Sequence, residues 1–140
     1  MRARYMGALV ASAVLSWTAP ALAHHPFAAE YDRSKPVHVT GTVAKIDWSN
    51  PHAMLHMEGK DKSGEEAKWT FELGGPNALK RRGWSENTLK SGDKISVDGW
   101  MSREDKHLAN AKSVTMANGK ELNAASSYFE KSPNKTKNSH

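Results

Sequence analysis

Apolar and polar residues alternate with period two over five stretches of this chain, a spacing that predicts strands. In the first, Val37, Val39, Gly41 and Val43 alternate with His38, Thr40 and Thr42, and the stretch runs on through Ile46 to Trp48. The apolar positions change from odd to even between Val43 and Ile46, which places a bulge there. Ser49-Asn50-Pro51 is turn chemistry. The second strand, His52 to Glu58, sets Ala53, Leu55 and Met57 on one face and His52, Met54 and His56 on the other. A charged segment with Ser63-Gly64 at its tip leads into the third strand, where Trp69, Phe71 and Leu73 alternate with Lys68, Thr70 and Glu72.

Gly74-Gly75 ends that strand, and Pro76 stands where a helix accepts proline, at its first position. A helix of about two turns through Arg82 is expected, with Gly83 as its stop. After the turn Leu89 to Asp93, a fourth strand carries Ile95, Val97, Gly99 and Met101 on one face; Ala109 to Met116 forms a fifth. Three strands, a short helix and two more strands predict a mainly β fold, a small OB-like five-stranded barrel. Gly41 and Gly99 would allow the tight coiling such a barrel needs. A different small α+β sheet with the same element order is the alternative.

Before the first strand, Arg2 and Arg4 precede an apolar run from Met6 to Trp17 and the small-residue stretch Pro20 to Ala23. This order reads as a secretory signal peptide over residues 1–23, cleaved after Ala23. The run falls short of the roughly 20 apolar residues of a membrane span. Three further regions follow: an amino-terminal arm over 24–36, the OB-like domain over 37–122 and a flexible polar tail over 123–140. From Ser126 onward the tail is too poor in apolar side chains to order itself.

Cleavage changes the charge picture. The chain has 20 basic and 15 acidic residues and a formal charge of +5; losing Arg2 and Arg4 leaves 18 against 15, or +3. Nucleic acid is therefore a weak expectation. The absence of cysteine removes disulfides and thiolate metal sites, and an exported chain without disulfides fits a periplasmic or secreted protein.

Three groups of residues carry candidate chemistry. Cleavage after Ala23 would expose the α-amine of His24 beside its own imidazole, with His25 adding a second ring; nitrogen donors of this kind suit copper, nickel and zinc. On the second strand, His52 and His56 lie four residues apart, roughly 13 Å at 3.3 Å per residue, so one ion cannot bridge them. Each can instead supply one ligand, with Met54 adding a thioether soft enough for Cu(I). The plain alternative is an ordinary strand face on which Met54 is adaptable filler. The third group is Lys80, Arg81, Arg82 and Trp84, with Trp48, Trp69 and Trp100 elsewhere. Basic and aromatic side chains on an OB surface suit an anionic polymer or a protein partner, although cations near a helix carboxyl end also complement the helix dipole.

Catalytic motifs are missing: there is no cysteine, no Gly-x-Ser-x-Gly elbow and no glycine-rich phosphate loop. A non-enzymatic binding module is expected, with a transition metal, copper first, as its ligand.

The fragments HHPFAAEYD, GTVAKIDWSNPH, WTFELGGPNALKRRGW, LKSGDKISVDG and ANAKSVTMANGKEL together resemble a family of small exported bacterial proteins of unknown function. The likeness runs over roughly residues 24–122, and PNALKRRGW is its most distinctive piece. It implies a periplasmic, β-barrel-like domain; it implies no activity and supplies no binding residues.

Overall fold

The computed structural model describes residues 27–126. The predicted signal peptide and residues 127–140 of the expected tail lie outside them; of its first residues, Asn123 closes the last strand and Ala124, Ala125 and Ser126 are buried. The elements in chain order are α1 (Phe27–Glu30), β1 (Tyr31–Asp47), β2 (Met54–Lys60), β3 (Glu66–Glu72), α2 (Pro76–Arg81), β4 (Lys94–Ser102), β5 (Leu108–Met116) and β6 (Glu121–Asn123). All six strands belong to one sheet of order β3-β2-β1-β4-β5-β6, with two short helices, so the fold is mainly β.

Every neighbouring pair in that order is antiparallel. In addition β3 pairs with β5 in parallel through Thr70, Phe71 and Glu72 against Leu108, Ala109 and Asn110. Pairing therefore runs from β1 through β2, β3, β5 and β4 back to β1. The expected bulge is present: Val43 faces Met57 and Lys45 faces His56, with Ala44 as the extra residue. A second register shift lies between Asp98 and Gly99.

The odd-numbered apolar residues of the first three strands point into one core. Val39, Val43, Leu55, Met57, Trp69, Phe71, Val97 and Val114 are all buried there, and Leu79, Trp84 and Leu89 close it from the α2 segment. Pro76 opens α2, and Gly83 ends it at φ +91°, a conformation side-chain-bearing residues rarely adopt.

The amino-terminal boundary differs from the expected one. Of the expected arm over 24–36, residues 27–36 are described: Phe27–Glu30 is one helical turn, and Tyr31 to Pro36 belong to β1, with Tyr31 and Pro36 paired to Ser102 and Trp100. Polar side chains at Asp32 to Lys35 hide this from a reading of alternation; the β4 register skips these four and pairs only Tyr31 and Pro36 on either side of them. Among the described residues the strand count is six and not five, since Glu121–Asn123 adds β6 beside β5. His52 lies just before β2 rather than within it, although Ala53 is bonded through its backbone to Leu73 and Gly74.

Candidate functional site

The amino-terminal turn is fastened across the outside of the sheet. Phe27 packs on Tyr31 with ring centres 5.3 Å apart and meets Trp100 edge-on at 6.0 Å. Arg103, in the β4–β5 connection, donates from Nε to the Ala28 carbonyl at 2.7 Å and from its backbone N–H to the Glu30 carbonyl at 2.9 Å. The Tyr31 hydroxyl donates to Glu72 Oε2 on β3. These contacts tie the start of the described chain to the ends of β3 and β4.

Beneath this turn lies a cleft of about 470 Å³ lined by Glu30, Tyr31, Met54, Glu72, Glu104 and Leu108 among others. Its three carboxylates give it a negative field, and Met54 and Leu108 give it an apolar side. Burial, followed by the hydrogen bond and charge of Glu72, pushes the Tyr31 phenol well above its ordinary value, so it remains a hydrogen-bond donor at neutral pH.

The second-strand residues divide between two networks. His52 Nδ1 lies 3.0 Å from the Leu73 carbonyl, and its Nε2 lies 3.4 Å from Glu72 Oε1. Met54 faces Glu72 in the ladder and lines the cleft with it. His56 belongs elsewhere: its Nε2 contacts Asp47 Oδ2 at 3.0 Å and its Nδ1 contacts Thr70 Oγ1 at 3.3 Å. The His56 hydrogen bond holds the Asp47 carboxyl below its ordinary range. Thus His52 and Met54 share surroundings through Glu72, while His56 sits apart. His24 and His25 lie outside the described residues. Among the described residues, no three His, Cys, Asp or Glu side chains form a group able to hold a metal ion.

The basic group is only partly a surface. Lys80 and Arg81 are exposed. Arg82 is half-buried and donates from its guanidinium to the Ala125 carbonyl. Trp84 is 3% exposed, and its indole N–H donates to the Asn123 carbonyl at 2.9 Å. A buried ring cannot stack on a ligand, so Trp84 belongs to the core and not to a binding surface. Trp69 is likewise buried; Trp48 and Trp100 are half-buried.

Tyr31, Glu72 and Arg103 escaped the sequence analysis. Alternation sets Glu72 on the outer face of the third strand, but no sequence signal couples it to a tyrosine 41 positions away.

No curated protein and no solved structure matches the chain. Residues 11–111 match the model of a family of unknown function, DUF6152. That match takes in most of the chain, including the amino-terminal turn, the two histidine networks and all of α2, and the chain belongs to this family.

Proposed function

We propose that this chain is exported, loses residues 1–23, and serves as a small OB-like binding module that captures a transition metal, copper first, at its new amino terminus. Binding, rather than catalysis, is the activity. The OB-like assignment is supported by the closed pairing circuit β1-β2-β3-β5-β4-β1 with a helix between β3 and β4.

One observation carries the metal reading: the turn that begins two residues after His25 is clasped over an acidic cleft lined by Met54 and Glu72, with His52 next to Glu72. Consecutive α-carbons are 3.8 Å apart, so the α-carbons of His25 and His24 lie within roughly 8 and 11 Å of that of Phe27. Chain length thus allows the two imidazoles and the new α-amine to reach the cleft mouth. Nitrogen donors joined by a thioether or carboxylate suit copper or zinc.

The test uses untagged protein purified from the periplasm of an expressing bacterium. Intact-mass measurement should give a chain beginning at His24, and titration should show tight binding of one copper ion. One extra residue before His24 moves the α-amine away and should weaken binding at least tenfold while the fold persists. A mature chain that begins elsewhere, or copper affinity indifferent to the added residue, overturns the reading.

A further inference from the structure

We infer that the cleft beneath the amino-terminal turn binds a linear alkylammonium, from a free polyamine or a lysine side chain, between the carboxylates of Glu30, Glu72 and Glu104 and the amide oxygen of Asn110. Such a site goes beyond the proposed metal site and does not rest on it: every group it uses lies within residues 27–126, and none has to hold a metal ion.

Asn110 is 1% exposed, and its Oδ1 has no hydrogen-bond partner. A buried acceptor left unpaired costs stability and is uncommon in folded proteins. Its place in the sheet shows which side it serves. Asn110 pairs with Glu72 on β3 and with Trp100 on β4, and ladder partners carry their side chains on the same face. Glu72 lines the cleft, and so does Leu108, two residues before Asn110 and therefore on its face of the strand. Trp100 meets Phe27, and Glu72 meets Tyr31, so the packed rings of Phe27 and Tyr31 cover Asn110 from outside the sheet. Asn110 thus stands at the inner wall of the cleft, bracketed by two of its lining residues. An amide turns readily about its last bond, which brings Oδ1 toward Glu72.

The cleft itself supplies the rest of the recognition. Glu30, Glu72 and Glu104 border one space of about 470 Å³, within the range of small-ligand sites, and no described Lys, Arg or His lines it. Among the described residues, Glu30 and Glu104 take part in no ion pair. Arg103, which adjoins Glu104, is engaged with Ala28 and Asp32. Glu72 is held in place by the Tyr31 hydroxyl on one oxygen and by His52, 3.4 Å from the other. Met54 and Leu108 form an apolar wall along which methylene groups can lie. Negative charge and unpaired acceptors ask for a ligand that brings positive charge and N–H donors together. No described group is placed to hold a metal ion, and a bare ion would leave the apolar wall unused. A primary ammonium on an alkyl stem carries three donors and the charge, and so meets each demand.

Titration calorimetry on the untagged protein, with EDTA present to remove metal ions, tests the site. The probes are cadaverine, spermidine, a blocked Gly-Lys-Gly peptide and the bis-trimethylammonium analogue of cadaverine, which keeps the charge and lacks N–H donors. Saturable binding is expected for at least one amine, about tenfold or more tighter than for the quaternary analogue, as befits lost charge-assisted hydrogen bonds. Tighter binding of a free amine assigns the site to a polyamine, tighter binding of the peptide to a lysine side chain, and either supports the inference. Glu72→Gln, which keeps an oxygen for Tyr31, and Asn110→Leu should each weaken the preferred amine about tenfold. Glu58→Gln, on an exposed β2 residue outside the cleft, should not. Asn110→Leu should also keep or raise the urea midpoint, because it removes an unpaired buried acceptor. The Glu30→Gln, Glu104→Gln double variant, on exposed positions, should weaken binding equally and serves if a buried variant misfolds. Absence of saturable amine binding, equal affinity for the quaternary analogue, or normal affinity in the cleft variants overturns the inference. A lowered midpoint with normal affinity in Asn110→Leu would make Asn110 a structural residue and overturn it too. With metal excluded throughout, none of these results bears on copper at the amino terminus.

Discussion

Gly41 of β1 faces Gly59 of β2 so closely that a β-carbon on Gly41 would stand 1.9 Å from the Glu58 carbonyl oxygen and 2.5 Å from the Gly59 α-carbon. Both obstacles are backbone, so neither can swing aside. Gly41→Ala should therefore force the two strands apart and cost about 1–3 kcal/mol, the range for overpacking. Gly64, at the β2–β3 tip, makes the control: its φ is +74° and nothing lies within 4 Å of an added β-carbon. Gly64→Ala should cost only about 1–2 kcal/mol of backbone strain. Urea midpoints of the two variants check the order, and a Gly41→Ala protein as stable as the unaltered one contradicts this account of the β1–β2 approach.

Much of the sheet was legible because alternation reports burial on one face. Val39, Leu55, Phe71 and Val97 are fully buried where period two places them, and the phase change after Val43 marks a real bulge. Elements held by partners rather than by their own side chains were not legible. Tyr31 to Pro36 joins β1 through β4, and Glu121–Asn123 is too short to show a period. The site divides along the same line. His52, Met54 and His56 were placed on one face by spacing, but separating His52 from His56 needed Glu72, whose position depends on contacts from β1. Trp84 misled because a tryptophan after a basic run reads alike whether it stacks on a ligand or fills a core.

Tyr31 should make the fold sensitive to alkali. Its phenol titrates above 10.0 in the folded chain, owing first to burial and then to Glu72, whereas in the unfolded chain it titrates near 10.0. The unfolded state thus loses this proton first, and the stability that the group contributes is present below pH 10 and declines as pH rises beyond it. One proton corresponds to about 1.4 kcal/mol per pH unit. Denaturation midpoints between pH 9 and 11 should fall more steeply in the unaltered protein than in Tyr31→Phe; equal slopes would show that folding does not raise the phenol above its ordinary value.

Arg103 should govern how firmly the amino-terminal turn stays down. Its Nε donates to Ala28 at 2.7 Å, and its guanidinium lies 3.4 Å from Asp32. Removing these contacts with Arg103→Ala should cost about 0.5–1.5 kcal/mol, the net worth of a hydrogen bond. The effect should be strongest locally, because Phe27 and Tyr31 are not members of the main core cluster. Hydrogen exchange should quicken over residues 27–32 and stay unchanged in β2 and β4. Uniform acceleration would mean that the turn and the sheet unfold as one unit.

Lys80, Arg81 and Arg82 are adjacent in the chain but should behave as two classes. Arg82 bonds the Ala125 carbonyl, and Trp84, two residues on, bonds Asn123, so both tie the end of α2 to the segment around β6. Hydrogen bonds from a charged donor are worth about 1.5–3 kcal/mol, and Arg82→Ala should cost an amount in that range. Lys80→Ala and Arg81→Ala, on exposed residues, should stay within about 0.5 kcal/mol of the unaltered protein. This split also decides the fate of a polyanion surface. If an anionic polymer binds here through charge, the Lys80→Ala, Arg81→Ala double variant should bind it more weakly at unchanged stability, with the salt dependence of affinity shallower by roughly 1–2 in the log–log slope. If only Arg82→Ala weakens binding, and does so together with its unfolding, the basic run fastens α2 to the sheet and recognises no polymer.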